Sequence, residues 1–121
     1  MFELHYEYEI CLPTKYNDGS KIAASKFYKT KSELVKRFNG CSFFPAKGLW
    51  KYHDITLNED NIILKTTANI EDDEFWEEYV VTLRERFKQV EINIHKIPIF
   101  IHKFQKPSQL KSKESSGESI Q

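Results

Sequence analysis

Residues 2–10, FELHYEYEI, alternate without a break: Phe2, Leu4, Tyr6, Tyr8 and Ile10 are apolar, while Glu3, His5, Glu7 and Glu9 are polar or charged. A period of two is the repeat of a half-buried β-strand, so the even residues are expected to face a core and the odd ones to form a polar row. The core side needs no further explanation. The row of three carboxylates and an imidazole raises the question of what lies over that face.

The rest of the chain supplies the elements around this strand. Pro13, Asn17, Asp18 and Gly19 mark residues 13–22 as a loop, because they preset φ or tolerate positive φ. A first helix is expected next, with Thr30 and Glu33 at capping-box spacing and Phe27 and Tyr28 as a preliminary turn of the same element. Its stripe is Leu34, Val35 and Phe38, Lys36 and Arg37 suit its negative end, and Asn39-Gly40 offers a left-handed stop. CSFFPA, residues 41–46, reads as a short edge strand stopped by Pro45. Residues 48–50 and 55–57 look extended and 58–61 look like a turn, which predicts an elaborated hairpin before a β-branched strand at 61–70.

The second helix has the strongest pattern. Across residues 71–89, Phe75, Trp76, Tyr79, Val80, Leu83 and Phe87 form one stripe. Glu71, Asp72, Asp73 and Glu74 open it and Arg84, Arg86 and Lys88 close it, so the acidic cluster complements the helix dipole and is not read as a metal site. Residues 90–97, VEINIHKI, alternate again, with Val90, Ile92 and Ile94 opposite Glu91, Asn93 and His95; Pro98 interrupts and Ile99–Ile101 extends the edge. From residue 106 there is almost nothing to bury, which predicts a disordered polar tail over 106–121 after a domain spanning 1–105.

The order strand, helix, strand, strand, helix, strand, with right-handed crossovers, specifies an α+β ferredoxin-like βαββαβ sandwich. It has a four-stranded antiparallel sheet in the order 4-1-3-2 and both helices on one face. The odd residues of the first strand then line the face that the helices leave bare.

Composition narrows the function classes. A chain of 121 residues makes about one domain. Eighteen basic residues balance eighteen acidic ones, so no overall positive field draws in nucleic acid. Cys11 and Cys41 lack metal spacing and are read as reduced, small buried apolar groups of a cytoplasmic protein. No apolar run is long enough to span or anchor to a membrane. The chain contains no Gly-rich phosphate loop, G-x-S-x-G, C-x-x-C or R-G-F-type signature. Tyr6 and Tyr8 have the wrong parity to stack bases on the open face.

Two places could carry chemistry. On the open face, Glu3, His5, Glu7 and Glu9 should lie beside Glu91, Asn93 and His95, with Lys65 and Thr67 from the third strand. That face is either solvated or covered by a second copy or another protein. No helix-borne H-x-x-x-H fixes a ligand geometry there, so neither a metal nor a cofactor is assigned. At one end of the sheet, the loop at 13–22, the hairpin and the turn before the last strand should gather Asn17, Asp18, Trp50, Arg86, Gln89 and Glu91. An exposed indole beside Arg and carboxylates could hold a small anion or a peptide. The plain structural alternative has Trp50 plugging the core and Arg86 paired with Glu91.

The segments L-P-T-K-Y-N-D-G (12–19), G-L-W (48–50) and R-F-K-Q-V-E (86–91), in this order and spacing, resemble a family of small bacterial ferredoxin-like proteins of uncharacterised function over residues 4–97. The resemblance implies the fold, adds weight to Asn17, Asp18, Trp50, Arg86, Gln89 and Glu91 as ligand-binding residues, and supplies no activity. Val90 departs from it by separating Gln89 from Glu91.

The leading expectation is therefore a non-enzymatic interaction module, a homodimer or partner-binding protein that associates through its open sheet face. A second reading is a small enzyme of the dimeric α+β barrel type, with His5 or His95 and Glu7 or Glu91 as acid and base. A third is an RNA-binding accessory protein using Lys26, Lys29, Lys36 and Arg37 of the basic first helix.

Overall fold

The computed structural model describes residues 1–103; the tail expected at 106–121 lies outside the described residues. Six elements follow one another: β1 (Phe2–Pro13), α1 (Ala24–Phe38), β2 (Ser42–Tyr52), β3 (Ile55–Ala68), α2 (Asp73–Phe87) and β4 (Ile94–His102). The strands form one antiparallel sheet in the order β2-β3-β1-β4, which is 4-1-3-2 read from the other edge. This is the ferredoxin-like arrangement that the periodicities specify.

Tyr8, Ile10 and Leu12 of β1 and Leu64 of β3 share one core with Leu34 of α1 and with Trp76, Tyr79, Leu83 and Phe87 of α2. Both helices therefore pack on the even face of β1. Six of these side chains (Ile10, Leu12, Leu34, Leu64, Leu83 and Phe87) have no exposed surface. Full burial of such a side chain contributes roughly 1.5–3 kcal/mol, so this group is the main source of cohesion. Trp76 stacks on Tyr8 and on Phe38, with ring centroids 5.1 and 5.6 Å apart. The stripe expected for α2 is the stripe that is buried.

Several local expectations are corrected. Thr30 and Glu33 are not a capping box: α1 begins at Ala24, the methyl of its N-cap Ala23 makes no capping hydrogen bond, and Thr30 donates to the Lys26 carbonyl inside the helix at 2.8 Å. The stop is the expected one, with Asn39 left-handed at φ 66° and its N–H on the Val35 carbonyl. β2 does not stop at Pro45 but runs on to Tyr52, because it is an edge strand and a proline there need cost no ladder bond. The hairpin turns at His53-Asp54, with His53 at φ 56°, and the segment 58–61 is strand. β4 starts at Ile94 rather than residue 90 and carries Pro98 inside it, opposite Tyr6 on the other sheet edge. Val90 is 87% exposed instead of joining the core. Cys11 is exposed because its odd position puts it on the open face, and Cys41 is only half-buried.

Among the described residues no helix is long and apolar enough to cross a membrane.

Candidate functional site

On the open face, β1 is flanked by β3 and β4, and its carboxylates are answered from β3. Lys65 Nζ lies 3.8 Å from Glu7 Oε1 and 3.4 Å from Glu9 Oε2. His5 Nε2 lies 3.3 Å from Glu3 Oε1. His5 is buried and Glu7, Glu9 and Lys65 are half-buried, so these cross-strand and same-strand pairs are partly shielded, each worth about 1 kcal/mol or less. Around this polar centre the face is apolar. On one side β4 sets Ile97, Ile99 and Ile101 opposite Glu7, His5 and Glu3. On the other, Phe44 of β2 pairs with Ile63 of β3.

The hairpin extends this apolar border. The pairing of β1 with β3 ends at Pro13 opposite Asn61, whereas β2 and β3 continue pairing from there to Tyr52 opposite Ile55. The end of the hairpin is thus a two-stranded arm reaching beyond the sheet. Two successive pairs on its open face, Trp50 with Leu57 and Tyr52 with Ile55, are large and apolar, and all four residues are between 49% and 66% exposed. The Trp50 indole folds back over Gly48, where an added Cβ would meet Nε1 at 2.9 Å.

A cleft of about 400 Å³ opens where the arm leaves the sheet. It exists because β4 begins only at Ile94, level with Ile10, so Cys11 and Pro13 of β1 have no strand on that side. Segment 89–93 closes that flank with Gln89, Glu91 and Asn93, while Trp50 and Glu59 come from the arm. Ile10, Ile63 and Ile92 contribute the apolar lining. Glu9, Asn61 and His95 complete the polar part, and Glu9 stands opposite His95 in the ladder. The Gln89 amide nitrogen donates to the Phe87 carbonyl at 3.0 Å, which leaves its oxygen as the acceptor end. Burial, and then the charge of Glu59, push the Cys11 thiol above its usual range.

Of the residues expected to bind a ligand, Trp50, Gln89 and Glu91 are brought together in this cleft, and two of the acid–base candidates, Glu91 and His95, lie there too. The other two do not: His5 and Glu7 sit farther along β1, opposite Ile99 and Ile97. Asn17, Asp18 and Arg86 are elsewhere. Asn17 is exposed in the loop. Asp18 accepts from the Ser20 amide at 2.9 Å and its hydroxyl at 2.6 Å, bonds that lower its carboxyl below the usual range and stabilise the turn. Arg86 joins the helices: Nη1 and Nη2 donate to the two Glu33 oxygens at 2.8 and 3.0 Å, and Nη1 also donates to Thr30 Oγ1 at 2.7 Å. Tyr79 donates to the same carboxylate at 2.7 Å. Burial works to raise the Glu33 carboxyl, but Arg86 and Tyr79 outweigh it and hold the group below its usual range. The pairing of Arg86 with Glu91 and the plugging role for Trp50 are both replaced.

Glu59 and Asn61 were not expected at the site. Their signal was parity: once the hairpin turns at His53-Asp54, both fall on the face that carries Trp50. Among the described residues no three His, Cys, Asp or Glu side chains converge as a metal site.

No model of a known protein family matches the chain, and no curated protein matches it in sequence. Solved structures match the fold. A phage SAM lyase in complex with S-methyl-5'-thioadenosine has a TM-score of 0.56 at 15% identity, over 80% of this chain and 88% of that one. The divalent cation tolerance protein CutA1 from Thermus thermophilus has a TM-score of 0.55 at 9% identity, over 88% and 92%. The Bacillus subtilis GlnK–ATP complex has a TM-score of 0.52 at 18% identity, over 82% and 84%. At these identities the likeness is one of fold: the chain shares a small ferredoxin-like architecture with proteins of different described roles.

Proposed function

We propose that this protein is a non-enzymatic self-associating module whose open sheet face and hairpin arm are covered by further copies of the same chain. The carrying observation is the arm: Trp50, Tyr52, Ile55 and Leu57 stand half-exposed or more on one face of a two-stranded projection. A soluble protein rarely leaves a contiguous apolar patch of this kind uncovered. The isoleucine run of β4 on the same face gives a second copy an apolar surface to meet. Association runs through faces rather than by strand addition, because Pro45 and Pro98 stand in the two edge strands and blunt both templates.

The test is a charge placed on the arm. Leu57→Glu is 49% exposed at the site of substitution, so the chain should keep its far-ultraviolet circular dichroism. It should weaken association at least about thirtyfold, or ~2 kcal/mol, as expected for an apolar interface anchor. An oligomer that tolerates Leu57→Glu would overturn the assignment of the arm.

One observation favours an alternative, a small enzyme: Glu91 and His95, two of the acid–base candidates, line the same cleft as Glu9. An enzyme using them would lose turnover in His95→Gln while retaining its mass.

A further inference from the structure

Beyond self-association, we propose that the cleft at the root of the arm binds a small organic cation: a charged ammonium, guanidinium or sulfonium group attached to an apolar or flat body. The inference starts from charge. Glu59 and Glu91 have no ion-pair or hydrogen-bond partner among the described residues, and Glu9 shares the single Lys65 with Glu7. No lysine or arginine lines the cleft, and three carboxylates, Glu9, Glu59 and Glu91, stand against the single imidazole of His95, so phosphates and carboxylates are disfavoured there.

The second observation is independent of the carboxylates. Asn61 is 94% buried by its 6% residual exposure, lines the cleft, and its carboxamide makes no hydrogen bond with any described residue. The residual exposure includes the carboxamide, which is not among the sealed unpartnered atoms, so its polar atoms open on the cleft and a polar ligand entering there can hydrogen-bond to them. Gln89 also lines the cleft, and its side-chain oxygen is a further acceptor.

The walls select the body of the ligand. Trp50 presents an indole to the same space, and Ile63 and Ile92 line it with apolar surface. A cation against an indole face is attracted by the ring quadrupole, and the apolar remainder buries against the isoleucines. A bare divalent ion gains neither contact, and the carboxylates are too spread to form a cage.

The experiment is isothermal titration of the 121-residue protein with choline, agmatine and S-adenosylmethionine, which present an ammonium, a guanidinium and a sulfonium group in turn. The uncharged choline isostere 3,3-dimethylbutan-1-ol, AMP and magnesium are run beside them. At least one cation should bind with Kd below about 1 mM, and the neutral isostere and AMP at least tenfold more weakly than the best cation. The double variant Glu59→Gln/Glu91→Gln should lose about tenfold in affinity for that cation, and Trp50→Leu several-fold. Circular dichroism and oligomeric mass, recorded for each variant, separate loss of the site from loss of fold or assembly; Trp50→Leu serves as the readout if the double variant does not fold. The proposal is overturned if none of the three cations binds with a Kd below about 1 mM, if AMP, magnesium or the neutral isostere binds within tenfold of the best cation, or if folded variants bind unchanged.

Discussion

Arg86 organises the two helices of this protein. Its guanidinium is only 10% exposed at the side chain and makes a two-pronged contact with Glu33, 53 residues away in sequence. Arg86→Met takes the guanidinium from Glu33 and Thr30 and leaves the carboxylate only the Tyr79 hydroxyl, in a partly buried setting. Because Glu33 keeps solvent access, the expected cost is about 2 kcal/mol, below the range for a fully buried pair; urea denaturation measures it. Glu33 also sets an acid limit. Its carboxyl lies lower in the folded protein than in the unfolded chain, so the stability it contributes is complete above the unfolded value of about 4.3 and is lost as pH falls through the folded value. Glu33→Gln should flatten that part of the acid unfolding curve, whereas an unchanged slope between about pH 4 and 2 would remove Glu33 from the account. Such partnerships are what local sequence hides. Thr30 and Glu33 have the spacing of a helix start, but their partners lie in another helix, and Arg86 looked like a ligand residue for the same reason.

At the level of elements, the hairpin arm is the feature that separates this sheet from a plain four-stranded layer. Within it, Gly48 leaves the room that the Trp50 indole occupies. Gly48→Ala places a Cβ within 2.9 Å of Trp50 Nε1, so the indole must move off the face. The backbone there needs no left-handed conformation, so the substitution should cost little stability. It should instead change the Trp50 fluorescence maximum; Trp76 is buried in the core and serves as the internal constant. The same spectrum in both proteins would mean that the indole does not rest on Gly48. The arm was legible only in part. Residues 58–61, NEDN, carry turn-forming side chains but are held in strand by pairing with β2, while the true turn, His53-Asp54, has no glycine to announce it. The shape of β4 was hidden similarly: Ile92, just before it, and Ile94 turn toward the core, then Ile97, Ile99 and Ile101 lie on the open face. Because β4 is an edge strand, its even residues Lys96, Pro98 and Phe100 remain exposed.

For the whole molecule, topology was readable because each element carries its own period, and the order of periods admits few right-handed arrangements. The buried stripe of α2 and the even face of β1 follow directly from it. What covers the other face does not, since long-range pairings such as Lys65 with Glu7 and Glu9 decide whether the acidic row is available to a partner. Those pairs offset part of the negative charge at the centre of the face, leaving the apolar border and the arm as its adhesive parts. The central claim is that this border is buried between copies. Light scattering of the wild-type protein across a range of concentrations and salt strengths tests it most directly. The account predicts a mass that is a stable multiple of 14.4 kDa at micromolar concentration, little changed by salt because the contacts are apolar. A mass of one chain at every concentration would contradict it.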